Sequence, residues 1–289
     1  MASLQDRFDP RRNGFDLLRL SFALLVAIDH GVSAHHGGHP RIGQTGIGDL
    51  ALDGFFVLSG FLVTRSWFAL GSFPRFAWHR FLRIMPGFWV CLLVVGFVAA
   101  PVAAALQGMS PLRAFSATPS AWEYVLDNAG LLIVHYDIAG ILAASPKEYS
   151  FNGSLWTLVF EAFCYAVVGV LGALGLLRRR PALVPAAAGV LLVLTALQEA
   201  GLPVLLNDRV IRLVLVFLLG ACAYLYADRI PLRADLAAAA AGVTLLSLVL
   251  FDDYRVLGAV PLAYLYLWFA TTSPWTWSMR TDLSYGLYI

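Results

Sequence analysis

Ionisable residues inside the first long apolar segment are the groups best placed to do chemistry. Arg19 and His30 both lie within this segment, and Asp29 directly precedes the histidine. The arginine and histidine are eleven residues apart, close to three helical turns, so on a helix they share a face about 16 Å apart along the axis. Ionisable groups at membrane depth are costly and mark functional pathways. We therefore predict that both are functional; the alternative is that Arg19 extends to the headgroups and His30 packs through a hydrogen bond.

A second cluster is basic and follows the second apolar segment. Arg80 and Arg83 are one turn apart and would share a helix face. Two guanidiniums so placed suit a phosphate or diphosphate, which arginine binds through paired hydrogen bonds. We place the cluster in a cytoplasmic loop. Membrane topology alone would also supply basic residues there, and anionic lipid is another possible partner.

A third cluster lies at the start of a later apolar segment and contains an acidic residue. Glu161 lies about two turns in from the predicted outer helix end, at a depth similar to that of His30. A carboxyl at that depth needs a partner, and His30 and Arg212 are the candidates. The structural alternative is a carboxyl that bonds only to a neighbouring helix.

Further candidates lie near the predicted outer ends of helices. Ser154 can cap a helix, and Trp156 is either an interfacial anchor or a surface on which a sugar ring stacks. Asp53, near the start of the second apolar segment, is a weaker candidate for substrate binding. The histidines at 35–39 have no carboxylate or cysteine nearby in the outer loop, so we predict no metal site.

The composition identifies the class of protein to which these residues belong. Of 289 residues, 60% are hydrophobic and 13% are charged, about half the charged fraction of a soluble domain. The apolar residues form stretches long enough to cross a bilayer as helices. We predict one all-α domain over residues 1–289, a polytopic integral membrane helical bundle. The predicted spans are 15–34, 49–70, 84–106, 153–177, 182–200, 209–227, 234–251 and 256–272.

The distribution of basic residues predicts the orientation of the bundle. If segment 122–142 does not cross, twelve arginines are cytoplasmic and five basic residues are outside; if it crosses, the ratio is nine to eight. The positive-inside rule favours the first arrangement. It places the amino terminus in the cytoplasm and loop 107–152 outside the inner (plasma) membrane. An apolar run begins near Leu283 and ends with the sequence at Ile289, so we expect a carboxyl-terminally incomplete domain with at least one more helix.

Taken together, the motifs resemble acyltransferase family 3, a group of bacterial membrane O-acyltransferases. No single motif is specific, but the order and spacing of all five cover the chain. In chain order they are the Arg19 and His30 pair, Asp53-Gly-Phe-Phe-Val-Leu-Ser-Gly-Phe-Leu62, Arg80-x-x-Arg83 followed by Ile-Met-Pro86, Ser154-Leu-Trp-Thr-Leu-Val-Phe-Glu161 with Tyr165, and Leu283-Ser-Tyr-Gly-Leu-Tyr288.

The resemblance implies a domain of about ten transmembrane helices in the full-length protein. It also implies transfer of an acyl group, commonly acetyl, from cytoplasmic acyl-CoA to a hydroxyl of an extracytoplasmic carbohydrate or lipid-linked glycan. On this interpretation Arg80 and Arg83 bind the phosphates of CoA, and Arg19 guides its arm into the bundle. His30 is a general base or a transient acyl carrier, and Glu161 orients it or binds the acceptor.

The remaining implied contacts concern the acceptor and the surroundings. The residues assigned to acceptor binding are Asp53, Ser154 and Trp156. We expect acyl-CoA as a substrate, contact with membrane lipid, and neither a bound cofactor, a metal nor a nucleic-acid partner.

Two other classes of function fit part of the pattern. A transporter or channel could use Arg19, His30 and Glu161 as a proton or anion pathway, but it gives no reason for the paired arginines. A non-catalytic partner of a cell-envelope complex is the second alternative. Acceptor-dependent release of thiol from acetyl-CoA separates an enzyme from both.

Overall fold

The computed structural model describes residues 2–143 and 150–273, which form helices joined by turns and one small hairpin. The predicted motif at 283–288 and the basic residues Lys147 and Arg280 lie outside these residues. The hairpin pairs Arg41–Ile42 (β1) with Thr45–Gly46 (β2). The helices are α1 (Leu4–Arg7), α2 (Phe15–His36), α3 (Ile47–Leu70), α4 (Phe73–Val94), α5 (Ala100–Leu106), α6 (Arg113–Ser116), α7 (Ala121–Asn128), α8 (Thr157–Ala173), α9 (Leu176–Arg179), α10 (Leu183–Glu199), α11 (Asp208–Leu225), α12 (Ala234–Leu250) and α13 (Arg255–Thr272).

The all-α prediction is confirmed, and every predicted span contains a long helix. A π-helical turn, Val95–Ala99, joins α4 to α5. Among the described residues, Ile47–Leu70 and the continuous Phe73–Leu106 are long and apolar enough to cross a membrane, and α8, α10 and α12 are shorter apolar helices. The number of spans stays a prediction.

The third predicted span starts earlier than the sequence pattern suggested. We expected it to begin at residue 84, after a basic loop, whereas α4 begins at Phe73. Gly71 ends α3 in the left-handed region, at φ +60°, and proline stands in the first turn of α4, where its fixed φ suits a helix start. The turn between the two helices is therefore tight. Arg80 and Arg83 lie in the first half of α4, not in a loop.

The segment 122–142 contains too little helix to cross a bilayer. Its helix, α7, has eight residues and is about 12 Å long, against a hydrocarbon core of about 30 Å. Ser120 caps α7, and Glu123 accepts a hydrogen bond from the Ser120 backbone N–H. These hydrogen bonds lower the pKa of Glu123. The helix of this segment is thus too short to span a bilayer by itself, and the topology of the segment stays a prediction.

Helix α3 lies at the centre of the bundle and packs most extensively against α11 and α2. The backbones of α3 and α11 touch at two glycines. A Cβ at Gly60 would lie 2.0 Å from the carbonyl oxygen of Phe217, and one at Gly220 would lie 2.0 Å from that of Val57. Small residues allow such close approach between membrane helices. This contact fixes the position of α3, along which the polar cavities are arranged.

Candidate active site

Two cavities lie along helices α2, α3 and α8 and meet at Thr157, which lines both. We name the first the arginine cavity. Its polar lining residues are Arg19, Ser59, Arg80, Arg83, Thr157, Glu161 and Tyr165. We name the second the histidine cavity. Its polar lining residues, together with Trp156, are Asp29, His30, His39, Arg41, Gln44, Asp49, Ser154 and Thr157.

The two cavities follow one another along the same three helices. On α2, Arg19 lines the arginine cavity and His30 the histidine cavity, about 16 Å further along the helix axis. On α3, Ser59 lines the arginine cavity and Asp49 lines the histidine cavity. The predicted alignment of Arg19 and His30 therefore places each at one of two adjoining cavities. Thr157, at the junction, is buried, and its hydroxyl donates to the backbone carbonyl of Ser154 at 3.0 Å.

A basic vestibule continues from the arginine cavity toward the start of α2. We define it by Arg11, Arg19 and Arg65, which line it together. Arg19 belongs to both spaces, so the vestibule and the arginine cavity are adjacent. The Arg19 Nη1 lies 3.5 Å from Asp16 Oδ1, the local ion pair expected from their three-residue spacing. Three guanidiniums thus surround the route into the arginine cavity.

Arg80 and Arg83 project from one face of α4 into the arginine cavity. The Arg80 Nη2 donates to the Ser66 hydroxyl at 3.4 Å, and its guanidinium lies 5.5 Å from the centre of the Tyr165 ring. The Nε of Arg80 is buried and has no hydrogen-bond partner among the described residues. Buried donors are nearly always satisfied in folded proteins. A ligand with an acceptor oxygen in the arginine cavity is one way to satisfy this N–H.

Glu161 belongs to the arginine cavity and not to the histidine cavity. Its Oε1 accepts hydrogen bonds from the Tyr165 hydroxyl and from the Ser59 hydroxyl, the latter at 3.3 Å. Glu161 and His30, which we expected at similar depth, therefore line different cavities. The glutamate lies one turn further into α8 than Thr157, where the two cavities meet.

Asp53 is enclosed by protein donors. Its Oδ1 accepts from Arg212 Nε at 3.0 Å, and its Oδ2 accepts from Arg255 Nε and from the Tyr254 hydroxyl, both at 2.6 Å. Arg212 also donates to Asp49, so the expectation that it pairs with the acid of α8 is wrong. Arg255, the first residue of α13, is 6% exposed. The group ties α3 to α11 and α13.

Ser154 and Trp156 both line the histidine cavity, and their assignment to acceptor binding stays a prediction. The Ser154 hydroxyl donates to Asn152 Oδ1 at 3.2 Å. The guanidinium of Arg209 lies 4.6 Å from the centre of the Trp156 ring, a distance typical of a cation–π contact. One face of the indole is therefore already covered, which leaves only the other for a sugar ring.

Several residues of the two cavities received no role in the sequence analysis. Ser59, Thr157 and Tyr165 lie within the motifs quoted there, and the four-residue distance from Glu161 to Tyr165 is the signal that could have indicated their contact. His39 contacts Asp29 at 2.8 Å across the turn after α2, so this histidine does have a carboxylate partner. Within residues 2–143 and 150–273, no three His, Cys, Asp or Glu side chains are grouped as metal ligands.

Comparisons with known proteins identify the family of the chain. The chain matches the acyltransferase domain family over residues 12–289. An O-acetyl transferase of Shigella phage Sf6 is 27% identical over 161 residues, covering 55% of this chain and 46% of that protein. Nodulation protein 10 of Rhizobium leguminosarum bv. viciae is 32% identical over 182 residues, covering 59% of this chain and 47% of that protein.

The extent of these matches decides what they establish. The chain spans about half the length of these two relatives, and no solved structure matches it. The family match, by contrast, extends over almost the whole chain. The chain therefore belongs to acyltransferase family 3, a family of membrane proteins.

Proposed function

We propose that the protein is a membrane-embedded O-acyltransferase. It would move an acyl group, acetyl in the first instance, from cytoplasmic acyl-CoA to a hydroxyl of an extracytoplasmic carbohydrate or related acceptor. The observation that carries the proposal is the pair of adjoining cavities, one lined by arginines and the other by a histidine, which meet at Thr157.

The donor side of the proposal rests on the basic vestibule and the arginine cavity. CoA carries a diphosphate and a further phosphate, and guanidiniums bind phosphate oxygens through paired, charge-assisted hydrogen bonds. Arg80 and Arg83 supply such donors, and the Nε of Arg80, which has no hydrogen-bond partner within residues 2–143 and 150–273, favours an anionic ligand. Arg19 lines both spaces and would guide the pantetheine arm between them. In the predicted orientation the vestibule faces the cytoplasm.

The histidine cavity is the proposed acceptor side. It is lined by His30 together with Ser154 and Trp156. His30 is exposed there. It would take the proton of the acceptor hydroxyl as the oxygen attacks the thioester carbon. The carbon–sulfur bond then breaks, and the CoA thiolate leaves and is protonated.

The histidine could also accept the acyl group itself before the hydroxyl attacks. Both routes form one ester and release one thiol. Glu161 is assigned to the donor side in either case, because it lines the arginine cavity with Arg19, Arg80 and Arg83. This replaces the interpretation in which the glutamate orients His30.

The test uses the protein in proteoliposomes with radiolabelled acetyl-CoA and a crude envelope-glycan acceptor. Wild type should transfer label and release thiol only when acceptor is present. His30→Ala should abolish transfer, while His35→Ala, an exposed histidine further along the same helix, should retain it. Equal transfer by wild type and His30→Ala would remove His30 from the chemistry.

A second pair of variants tests the donor site. Replacing Arg80 and Arg83 together with glutamine should raise the KM for acetyl-CoA by at least about tenfold, because each charged hydrogen bond contributes about 1.5–3 kcal/mol. Arg75→Gln, an exposed position of the same helix, is the control and should leave it unchanged. The transporter hypothesis would replace the enzyme hypothesis if wild type released no thiol but carried a proton or anion flux that His30→Ala lost.

A further inference from the structure

Asp29 is the buried acid of the histidine cavity, and the proposed chemistry does not use it. It is 5% exposed and lies one residue before His30 on α2. The Nδ1–H of His39 donates to its Oδ2 at 2.8 Å. Its Oδ1 is buried and has no hydrogen-bond partner among the described residues. The carboxylate is therefore half satisfied.

The first turn of α3 is shaped around this carboxylate. Gly48 is the second residue of α3, and a Cβ at that position would lie 2.7 Å from Asp29 Oδ2. A larger residue there would push the carboxylate out of this position. The amino-terminal end of a helix also favours a negative charge beside it. His39 and Gly48 together hold Asp29 in one position at the wall of the cavity.

A half-satisfied buried carboxylate is costly, because an unmade hydrogen bond to a buried acceptor carries its full desolvation penalty. A ligand that brings a hydrogen-bond donor would remove that penalty. A hydroxyl supplies the missing hydrogen-bond donor without adding charge to a cavity that is already lined by the acids Asp29 and Asp49 and by the base Arg41. A neutral hydroxyl is therefore the donor that we assign to this position.

We propose that Asp29 binds a second hydroxyl of the acceptor, so that the protein selects acceptors with two neighbouring hydroxyls, as in a sugar ring. The inference rests on the proposed function and names its acceptor class. Adjacent residues of a helix project about 100° apart. Asp29 and His30 can therefore contact two groups of one ligand in the cavity that both line. One hydroxyl donates to Asp29 Oδ1, while the other is presented to His30.

The test compares three variants in the proteoliposome assay with the envelope-glycan acceptor. Asp29→Asn removes the charge, and Gly48→Ala displaces the carboxylate without removing any polar group. Each should raise the KM for the glycan by at least about tenfold and leave the KM for acetyl-CoA unchanged. Gly31→Ala is the matched control, because a Cβ at this α2 position meets no described atom within 4 Å.

A pair of competitors tests the same inference on the wild-type protein, with no substitution that could impair folding. cis-1,2-Cyclohexanediol and its mono-O-methyl ether differ by one hydroxyl donor. The diol should inhibit glycan acylation at least about fivefold more strongly than the ether, given the cost of an unpaired buried acceptor. Asp29→Asn should lose this discrimination.

The outcomes separate the two proposals. Two results would overturn the role of Asp29 alone, provided that wild type transfers the acyl group. One is equal inhibition by the diol and the ether, and the other is an unchanged glycan KM in both Asp29→Asn and Gly48→Ala. Absence of acyl transfer and thiol release in wild type would overturn the proposed function and this inference with it.

Discussion

Replacing Asp53 with asparagine asks whether this carboxylate supports the bundle or binds a substrate. Arg212, Arg255 and Tyr254 all donate to it, and its side chain is 1% exposed. Asparagine keeps the size of the side chain but removes its charge and one acceptor oxygen. The arginines of α11 and α13 then lose the counter-charge that they share.

The magnitude follows from what remains around the two arginines. Removing one partner of a buried ion pair costs about 3–5 kcal/mol. Arg212 keeps Asp49, and Arg255 keeps Asp253 at 2.9 Å. We therefore expect Asp53→Asn to lower the free energy of unfolding by the lower end of that range, about 3 kcal/mol.

The assay is unfolding of the purified protein in mixed micelles by added sodium dodecyl sulfate, followed by tryptophan fluorescence. Asp49→Asn is the control: Asp49 is 47% exposed, and its backbone carbonyl still accepts from Arg212 at 3.0 Å. A half-exposed pair contributes under about 1 kcal/mol. Folded Asp53→Asn should also keep the wild-type KM for acceptor. The structural role would be refuted if Asp53→Asn had the same free energy of unfolding as the control and a raised KM for acceptor.

Two further predictions concern helix packing and orientation. Gly60→Ala should lower the free energy of unfolding by about 1–3 kcal/mol or more, because its Cβ would lie 2.0 Å from the carbonyl oxygen of Phe217. Gly189→Ala is the control, because a Cβ at this position meets no described atom within 4 Å and alanine favours a helix. Both variants are unfolded in the same sodium dodecyl sulfate titration. An equal loss of unfolding free energy in the two variants would contradict the close α3–α11 contact. In a variant without native cysteines, Ser120→Cys should react with an impermeant maleimide on intact cells and Arg178→Cys should not. The reverse pattern would overturn the predicted orientation.

Local features of the molecule were predictable because they depend on neighbours in sequence. The apolar stretches predicted most helix ends to within a few residues, because a long run of apolar residues is itself the sequence signal for such a helix. The Asp16 and Arg19 pair follows from three-residue spacing. The shared face of Arg19 and His30 follows from helix periodicity. The start of α4 was missed because its first turns carry basic residues that resemble a loop.

Contacts between distant segments were not predictable from the same sequence. Asp53 lies 159 residues from Arg212 and 202 from Arg255, and nothing local indicates that the three meet. Arg255 can be buried because the Asp53 carboxylate offsets part of the cost of removing its charge from water. Glu161 was paired with the wrong groups because depth along one helix does not say which face meets which neighbour.

The sequence by itself determined that the chain is helical and rich in apolar segments, and which few ionisable residues interrupt those segments. Its motif order also determined the family. Only the tertiary structure decided that Arg80, Arg83 and Glu161 share one cavity while His30 and Asp29 share the next. Helix periodicity and hydropathy are properties of a single segment, whereas a cavity forms where the faces of α2, α3 and α8 meet. The close backbone contact at Gly60 and Gly220 helps to fix the position of α3 in this arrangement.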